Sequence, residues 1–199
     1  MISKGSVLNM NLKLLIITLI SYLIGCFCCA YYYGTIFRNT DIRNFGSGNL
    51  GALNSGRVLG AGSFIIVLTI DFLKGVIVII IGRFFGLSNI SLLITMFAVI
   101  IGHMFPIQLR FKGGKGIATF MGALTSYNYL FTLIIFITFI PIYIITRKFT
   151  ISGLISIIFF PFLIFTIGYP SRGREAFAML IFASIIILKH TKNIFHTTK

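Results

Sequence analysis

Long stretches without a charged residue constrain this chain more than any other feature. Residues 14–37 and 116–146 form runs of 24 and 31 residues that contain no Asp, Glu, Lys or Arg. A transmembrane helix needs about 20 consecutive apolar residues. Only 10% of the chain is charged, whereas soluble domains carry about 25% charged residues. The sequence therefore predicts an all-α integral membrane protein that forms a single polytopic domain, residues 1–199.

The apolar runs predict about seven transmembrane helices. The run 116–146 is too long for one helix, and Ser126-Tyr127-Asn128 is a plausible place for a break. An odd number of spans would put the two termini on opposite sides of the membrane. The predicted spans are 14–34, 62–82, 84–105, 116–127, 130–146, 150–168 and 175–189.

The basic residues indicate the orientation of these spans. The chain has 17 Lys and Arg against 3 Asp and Glu, a net charge of +14. A nucleic-acid-binding protein would gather such charge on one patch of a soluble fold, but here it is dispersed between apolar runs. Lys and Arg favour cytoplasmic loops. An N-terminus outside and a C-terminus in the cytoplasm leave four basic residues outside and put eleven inside: Arg38, Arg43, Arg57, Arg110, Lys112, Lys115, Arg147, Lys148, Lys189, Lys192 and Lys199.

The first glycine-rich loop, residues 45–60, reads FGSGNLGALNSGRVLG. Small residues allow backbone N–H groups to converge on one point, and such nests bind anions. Ser47, Asn49 and Asn54 add neutral donors, and Arg57 adds a planar group suited to phosphate. The alternative is a flexible loop whose arginine serves only as a topology signal.

The second glycine-rich loop lies within residues 102–119, GHMFPIQLRFKGGKGIAT. Glycine permits close backbone approach, and the helix predicted from Ile117 could present its N-terminus to an anion. The spacing is not that of a Walker A loop. Two lysines on the cytoplasmic side could also be a topology signal alone. The glycines are Gly113, Gly114 and Gly116, and the lysines are Lys112 and Lys115.

Three further groups of polar residues lie in or beside apolar runs. Asp71 and Lys74, within the second predicted span, indicate either a functional site or mutual neutralisation that fixes two helices. His103 ends the third span and is expected to be a satisfied interfacial histidine. His190 and Asn193 are three residues apart and would share a helix face, either as a site or as solvated tail residues.

Two basic, glycine-rich loops on one side of a membrane core suit the handling of a phosphorylated small molecule at the cytoplasmic interface. Acyl transfer and transport both fit this arrangement. A carrier would need access from both faces and inverted repeats, whereas the expected anion ligands here lie on one face.

Two motifs resemble the bacterial acyl-phosphate:glycerol-3-phosphate acyltransferases, the PlsY family, and Asp71 and Lys74 resemble its D-x-x-K pair. The family's first motif, S-G-N-x-G-A-x-N-x-x-R, is matched by Ser47, Gly48, Asn49, Gly51, Ala52, Asn54 and Arg57. Its second, G-H-x-x-P-x-x-x-x-F-K-G-G-K-G-x-A-T, is matched by Gly102, His103, Pro106, Phe111, Lys112, Gly113, Gly114, Lys115, Gly116, Ala118 and Thr119.

The third motif of the family, roughly H-x-x-N-I-x-R-L-x-x-G-x-E, is shortened in this sequence. His190, Asn193 and Ile194 match, His196 replaces the arginine, and the sequence ends before the glycine and glutamate. Other departures are Gly25-Cys26-Phe27-Cys28 for Gly-Ser-Ile-Pro, Leu53 for Thr, and Thr150 and Gly153 for a Ser-x-x-Ser pattern.

The resemblance implies transfer of an acyl group from acyl phosphate to the sn-1 hydroxyl of glycerol 3-phosphate, giving lysophosphatidic acid for phospholipid synthesis. The expected catalytic residues are Ser47, Arg57, His190 and Asn193. The expected substrate-binding residues are Gly48, Asn49, Asn54, Lys112, Gly113, Gly114, Lys115, Gly116, Thr119 and Thr150.

The resemblance also sets the expected surroundings. The protein is expected in the bacterial inner membrane, with its site facing the cytoplasm and no cofactor, metal or nucleic acid. Its partners are the two substrates, membrane lipids and an enzyme that produces acyl phosphate. The alternatives are a phosphometabolite carrier and a catalytically weakened paralogue of the family.

Overall fold

The computed structural model describes residues 4–168 and 172–194, with side chains described over 9–167 and 172–191. These residues form helices joined by short connections and contain no strand. Short 3-10 turns lie at Ile42–Asn44 and Ile107–Leu109. The helices are α1 (Lys4–Cys26), α2 (Cys29–Arg38), α3 (Ala52–Leu59), α4 (Ala61–Phe84), α5 (Asn89–Met104), α6 (Ile117–Tyr127), α7 (Tyr129–Thr146), α8 (Phe149–Gly168) and α9 (Gly173–Ile194).

Within residues 4–168 and 172–194, five helical stretches are long and apolar enough to cross a membrane. The all-helical membrane architecture is thus confirmed, while the count of seven spans and the orientation of the termini stay predictions. Helix α6 has only 11 residues, about 16 Å at 1.5 Å per residue. The five stretches are Asn9–Arg38, Ala61–Phe84, Asn89–Leu109, Tyr129–Thr146 and Phe149–Ile167.

Two details differ from the predicted spans. The stretch Asn9–Arg38 covers the expected first span, 14–34, but it contains a break that was not predicted, since α1 ends at Cys26 and α2 begins at Cys29. The expected third span, 84–105, starts only at Asn89, because Gly86 turns the chain with a φ of +74° and Ser88 caps α5. The Ser88 hydroxyl accepts a hydrogen bond from Ser91 N.

The chain divides into two compact units, and the first is Met1–Tyr127. In it α1 packs on α5, and α4 packs on α6 and α3. Glycines permit these close crossings. A Cβ on Gly102 would overlap the backbone of Tyr22 in α1, and a Cβ on Gly75 would overlap the Thr119 carbonyl in α6. Helix α4 leads away from the first glycine-rich loop, and α5 returns to the second.

The second compact unit is Asn128–Lys199. Helix α8 packs against both α7 and α9. Phe131 and Phe160 form an edge-to-face pair with ring centroids 5.5 Å apart, and the Arg172 guanidinium lies 5.2 Å from the Phe131 ring. The expectation of a single domain therefore stays a prediction.

Candidate active site

The first glycine-rich loop is shaped by the side chain of Asn54. This residue lies in α3 and is 2% exposed. Its Oδ1 accepts a hydrogen bond from Ser47 N at 2.9 Å, and its Nδ2 donates to Phe45 O at 3.1 Å. A buried amide needs such partners. Asn54 was predicted to bind substrate. In the structure, however, both the oxygen and the nitrogen of its amide form hydrogen bonds with the backbone of the loop, so the side chain supports the loop conformation.

The outer side of the same loop carries the groups that can meet a ligand. Ser47 and Arg57 are both exposed, and Asn49 is half-buried beside Gly51, the N-cap residue of α3. Gly48 has a φ of +66°, a conformation that favours glycine. The loop therefore directs one hydroxyl and one guanidinium outward while its amide support is buried.

The second glycine-rich loop is fixed to the end of α5 by its own backbone. Gly113 N donates to Met104 O at 3.2 Å, and Gly114 N donates to His103 O at 3.0 Å. These two N–H groups are therefore committed within the protein and are not the donors of an anion cradle. The glycines serve close packing instead, since a Cβ on Gly114 would overlap the His103 ring.

The donors that remain lie at the start of α6. Gly116 has a φ of +83° and precedes the first residue, Ile117. The first N–H groups of an α-helix have no carbonyl partner within the helix, and they favour anions. Thr119, expected to bind substrate, is fully buried against α4, with its carbonyl near Gly75. Its side chain is therefore closed off from solvent.

Lys115 in the second loop interacts electrostatically with the first loop. Its side chain is half-buried. Burial and the nearby Arg57 charge both lower the pKa of Lys115 from its usual 10.5. Two cations from different loops thus repel each other, and a bound anion would reduce this repulsion. The loops also touch, because Leu50 O lies 3.0 Å from where a Cβ on Gly114 would be.

A cleft of about 470 Å³ opens beside Gly48. Three cations line it, namely Arg43, Arg110 and Lys112, and Asp41 is its acidic residue. Arg43 pairs with Asp41 at 2.6 Å, and its hydrogen bonds hold the Asp41 pKa below its usual range. The excess of positive charge favours the binding of an anionic ligand.

The backbone before Lys112 is held in a rare conformation. Arg110 and Phe111 have φ values of +53° and +60°. Such conformations cost non-glycine residues about 1–3 kcal/mol and persist where surrounding structure imposes them. Phe111 N donates to Pro106 O, and Lys112 N donates to Leu109 O. The tight turn leaves the Lys112 side chain exposed.

Sequence reasoning underrated two residues beside the second loop. His103, expected to be a satisfied interfacial residue, is 2% exposed and contacts Lys74, with Nδ1 2.6 Å from Nζ. Gln108 was not singled out, yet its Nε2 donates to Cys26 O at 2.6 Å, at the break between α1 and α2. Asp71 lies 2.9 Å from Lys74, so the expected neutralising pair is present.

The remaining predicted residues belong to the second compact unit. His190 is 4% exposed, and its Nδ1–H donates to Ile186 O at 2.7 Å. In a neutral ring, Nε2 is then the acceptor nitrogen. Thr150 is half-buried in the first turn of α8. Asn193 lies in the last turn of α9, where the side chain is not described, and His196 lies outside the described residues.

Comparisons with known proteins show what this chain is similar to. The profile of the family described as "Glycerol-3-phosphate acyltransferase" matches residues 15–199. Glycerol-3-phosphate acyltransferase 1 of Bacillus cereus is 42% identical over 149 residues, covering 75% of this chain and 82% of the relative. Glycerol-3-phosphate acyltransferase of Thermoanaerobacter sp. is 39% identical over 176 residues, covering 88% and 87%.

Two solved structures of PlsY (YgiH), described as an integral membrane glycerol 3-phosphate acyltransferase, share the fold. The glycerol 3-phosphate form has a TM-score of 0.79 and 31% identity, covering 93% of this chain and 92% of that one. The lysophosphatidic acid form has a TM-score of 0.78 and 30% identity, covering 93% and 91%. The carrier alternative is not favoured by these relatives. This chain belongs to the glycerol-3-phosphate acyltransferase family.

Proposed function

We propose that this membrane protein transfers an acyl group from acyl phosphate to the sn-1 hydroxyl of glycerol 3-phosphate. The observation that carries the proposal is the contact between the two glycine-rich loops, since Leu50 O of the first lies 3.0 Å from where a Cβ on Gly114 of the second would be. Arg57 in the first loop and Lys115 in the second add positive charge that favours an anion. Both substrates carry a phosphate group.

The reaction needs positioning more than activation. Acyl phosphate is a mixed anhydride, so the acceptor hydroxyl oxygen can attack the carbonyl carbon directly. The new ester C–O bond forms, the C–O bond to phosphate breaks, and inorganic phosphate leaves with its electron pair. The hydroxyl proton passes to a base. Holding two reactants in line can lower a barrier by about 7–11 kcal/mol, so no covalent acyl-enzyme is required.

The two loops divide the phosphate contacts in this proposal. Arg57 donates a bidentate pair of hydrogen bonds to phosphate oxygens, and Ser47 adds a hydroxyl. Lys115 and the first N–H groups of α6 oppose them from the second loop. Asn49 lies beside this set on α3's N-terminal side. Gly48 and Lys112 border the basic cleft, which serves as the entrance for anionic substrates.

The match to the third motif of the family is the ground for two further assignments. We propose that His190 and Asn193 act on the glycerol hydroxyls, with His190 as the base that accepts the hydroxyl proton. Thr150, in the first turn of α8, is proposed to bind substrate. We further propose a site on the cytoplasmic side of the bacterial inner membrane. Acyl phosphate comes from a separate enzyme that makes this donor, and its acyl chain lies among membrane lipids.

An assay with purified protein tests the proposal. Palmitoyl phosphate and glycerol 3-phosphate should give lysophosphatidic acid and inorganic phosphate in equal amounts. Palmitoyl-CoA should give little product, because the donor is recognised by its phosphate. Equal rates with acyl-CoA would refute the donor assignment. Exchange of glycerol 3-phosphate across vesicles without product would instead support the carrier.

Cysteine labelling tests the proposed orientation. On a cysteine-free background, Ser47→Cys and Ser88→Cys place exposed thiols in the loops that precede and follow α3 and α4. An impermeant reagent should label residue 88 in intact cells and residue 47 only after the membrane is opened. The reverse pattern would invert the topology. Thr119 is unsuitable as a probe because it is buried.

A further inference from the structure

The buried residues Asp71, Lys74 and His103 form a connected group that contacts the α1–α2 break at one end and Gly114 of the second loop at the other. All three are within the membrane-spanning part of the first compact unit and are 2–4% exposed. Polar groups at such depth are costly and are retained for a function or to satisfy a partner. None of them is among the groups assigned above to phosphate or to the glycerol hydroxyls.

Lys74 holds the break between α1 and α2. Its Nζ donates to Gly25 O at 3.2 Å and to Phe27 O at 3.1 Å. The carbonyl oxygen of Cys26, which lies between Gly25 and Phe27, accepts a hydrogen bond from Gln108 Nε2. A helix break within the membrane needs such partners because lipid offers none. The ammonium is thus tied to the segment from which α2 leads directly into the first substrate loop.

The same ammonium fixes His103. Lysine can only donate hydrogen bonds, so His103 Nδ1, 2.6 Å from Lys74 Nζ, is the acceptor and Nε2 carries the proton. Asp71 Oδ1, 2.9 Å from Lys74 and 3.6 Å from His103 Nδ1, balances the charge. The histidine ring therefore has one tautomer and one orientation.

His103 holds the second loop at two points. Its carbonyl accepts the hydrogen bond from Gly114 N at 3.0 Å. Its Nε2 edge lies against Gly114, since a Cβ there would overlap the ring. Lys115 is the next residue along the chain. A shift of the ring would therefore move the backbone that carries Lys115.

We propose that Asp71, Lys74 and His103 form a positioning network that sets the two substrate loops relative to each other for acyl transfer. This inference rests on the proposed function. One end of the network fixes the α1–α2 break that leads to the Ser47 loop, and the other fixes the Lys115 loop. The network touches neither substrate, so its loss should lower the turnover number more than the affinity for either substrate.

The decisive variant combines Asp71→Leu with Lys74→Met. Apolar replacement of both partners avoids leaving a lone charge buried in the membrane, but it also removes the donor from Gly25 O and Phe27 O, so the amount of folded protein is measured first. Misplacement by about 1 Å costs about 100-fold in rate, and kcat per folded molecule should fall by about 10- to 100-fold. The KM for glycerol 3-phosphate should change by less than about threefold. Hydrogen exchange across 105–118 should become faster.

Matched variants separate positioning from general loosening. Val78→Ala removes a fully buried contact from the same helix without touching the network, and its kcat per folded molecule should equal that of the wild type. His103→Asn retains an acceptor for Lys74 but removes the ring edge at Gly114, and should lower kcat in the same way. If the double variant does not fold, His103→Asn decides the question alone.

The results have distinct readings. Wild-type kcat and wild-type exchange in the double variant, or in His103→Asn, would overturn the network. A large increase in KM with kcat unchanged would overturn it too, because that marks a binding residue. Failure of the wild-type protein to make lysophosphatidic acid would refute the proposed function. The exchange comparison would then still decide whether the network orders the second loop.

Discussion

Both loops are rich in glycine, but the structure builds them differently. The conformation of the first loop depends on the Asn54 side chain, which accepts a hydrogen bond from Ser47 N and donates one to Phe45 O. The second depends on backbone bonds from Gly113 and Gly114 to the end of α5. In the first, positive φ angles at Gly46 and Gly48 explain the glycines. In the second, contact with His103 explains Gly114.

This difference shows that glycine-rich composition does not by itself identify the ligand donors. The first loop presents side chains, Ser47 and Arg57, on its exposed face. The second presents Lys115 and the start of α6, because its two central N–H groups are already bonded. The predictions below test whether the second loop is fixed by packing against His103 and the first by the side-chain amide of Asn54.

Gly114→Ala should have the largest effect. The added Cβ would overlap the buried His103 ring, and overpacking of this kind costs about 1–3 kcal/mol and shifts the backbone. Displacing Lys115 by about 1 Å should lower the rate about 100-fold. Gly62→Ala is the matched control, since nothing lies near its Cβ. Equal activities of the two variants would disprove the packing role of Gly114.

Arg57→Lys should come next. Lysine keeps the charge but loses the planar pair of donors. Loss of one charge-assisted hydrogen bond costs about 1.5–3 kcal/mol, which is roughly a ten- to hundred-fold drop in kcat/KM. Steady-state kinetics with varied glycerol 3-phosphate would measure it. Near wild-type kinetics would reduce Arg57 to a topology signal, the alternative that the sequence left open.

Asn54→Ala should have an intermediate effect. It leaves Ser47 N without its acceptor and removes one of the two donors to Phe45 O, which should destabilise the folded protein by about 1–3 kcal/mol. We expect kcat/KM to fall about tenfold as Ser47 loses its place. Thermal unfolding in detergent and kinetics would be compared. Unchanged stability together with a raised KM would instead restore the original expectation that Asn54 contacts substrate.

The smallest expected effect is a pH dependence of substrate affinity. Burial and Arg57 lower the pKa of Lys115 below 10.5, so the free protein loses this charge earlier as pH rises. A bound phosphate favours the protonated form, so KM for glycerol 3-phosphate should increase as pH passes upward through that lowered pKa. Lys115→Arg, which stays charged, should flatten the rise. If KM rises equally with pH in Lys115→Arg, then Lys115 is not part of the site.

The helices and most of their ends follow from apolar runs, because burial in lipid leaves the backbone few other structures. The end of α6 at Tyr127 matches the break expected at 126–128. The interruption of the first span could not be read from Cys26-Phe27-Cys28, since its carbonyl partners come from Lys74 and Gln108, far along the chain.

The sequence also identified the two glycine-rich loops, and the structure brings these loops into contact. The roles of Arg57 and Lys115 as anion ligands stay predictions. Whether an amide such as Asn54 faces inward depends on long-range packing, which a motif does not encode. The same holds for His103, whose partner Lys74 is 29 residues away in sequence.

The central claim is that two loops form one anion site, and a double-mutant cycle tests it most directly. Binding of glycerol 3-phosphate would be measured by calorimetry for the wild type, Arg57→Ala, Lys115→Ala and the double variant. If one phosphate is held between both cations, the first removal breaks the clamp. The double variant should then lose less affinity than the sum of the single losses, by about 0.5–3 kcal/mol. Additive losses would contradict the account and assign the two loops to separate sites.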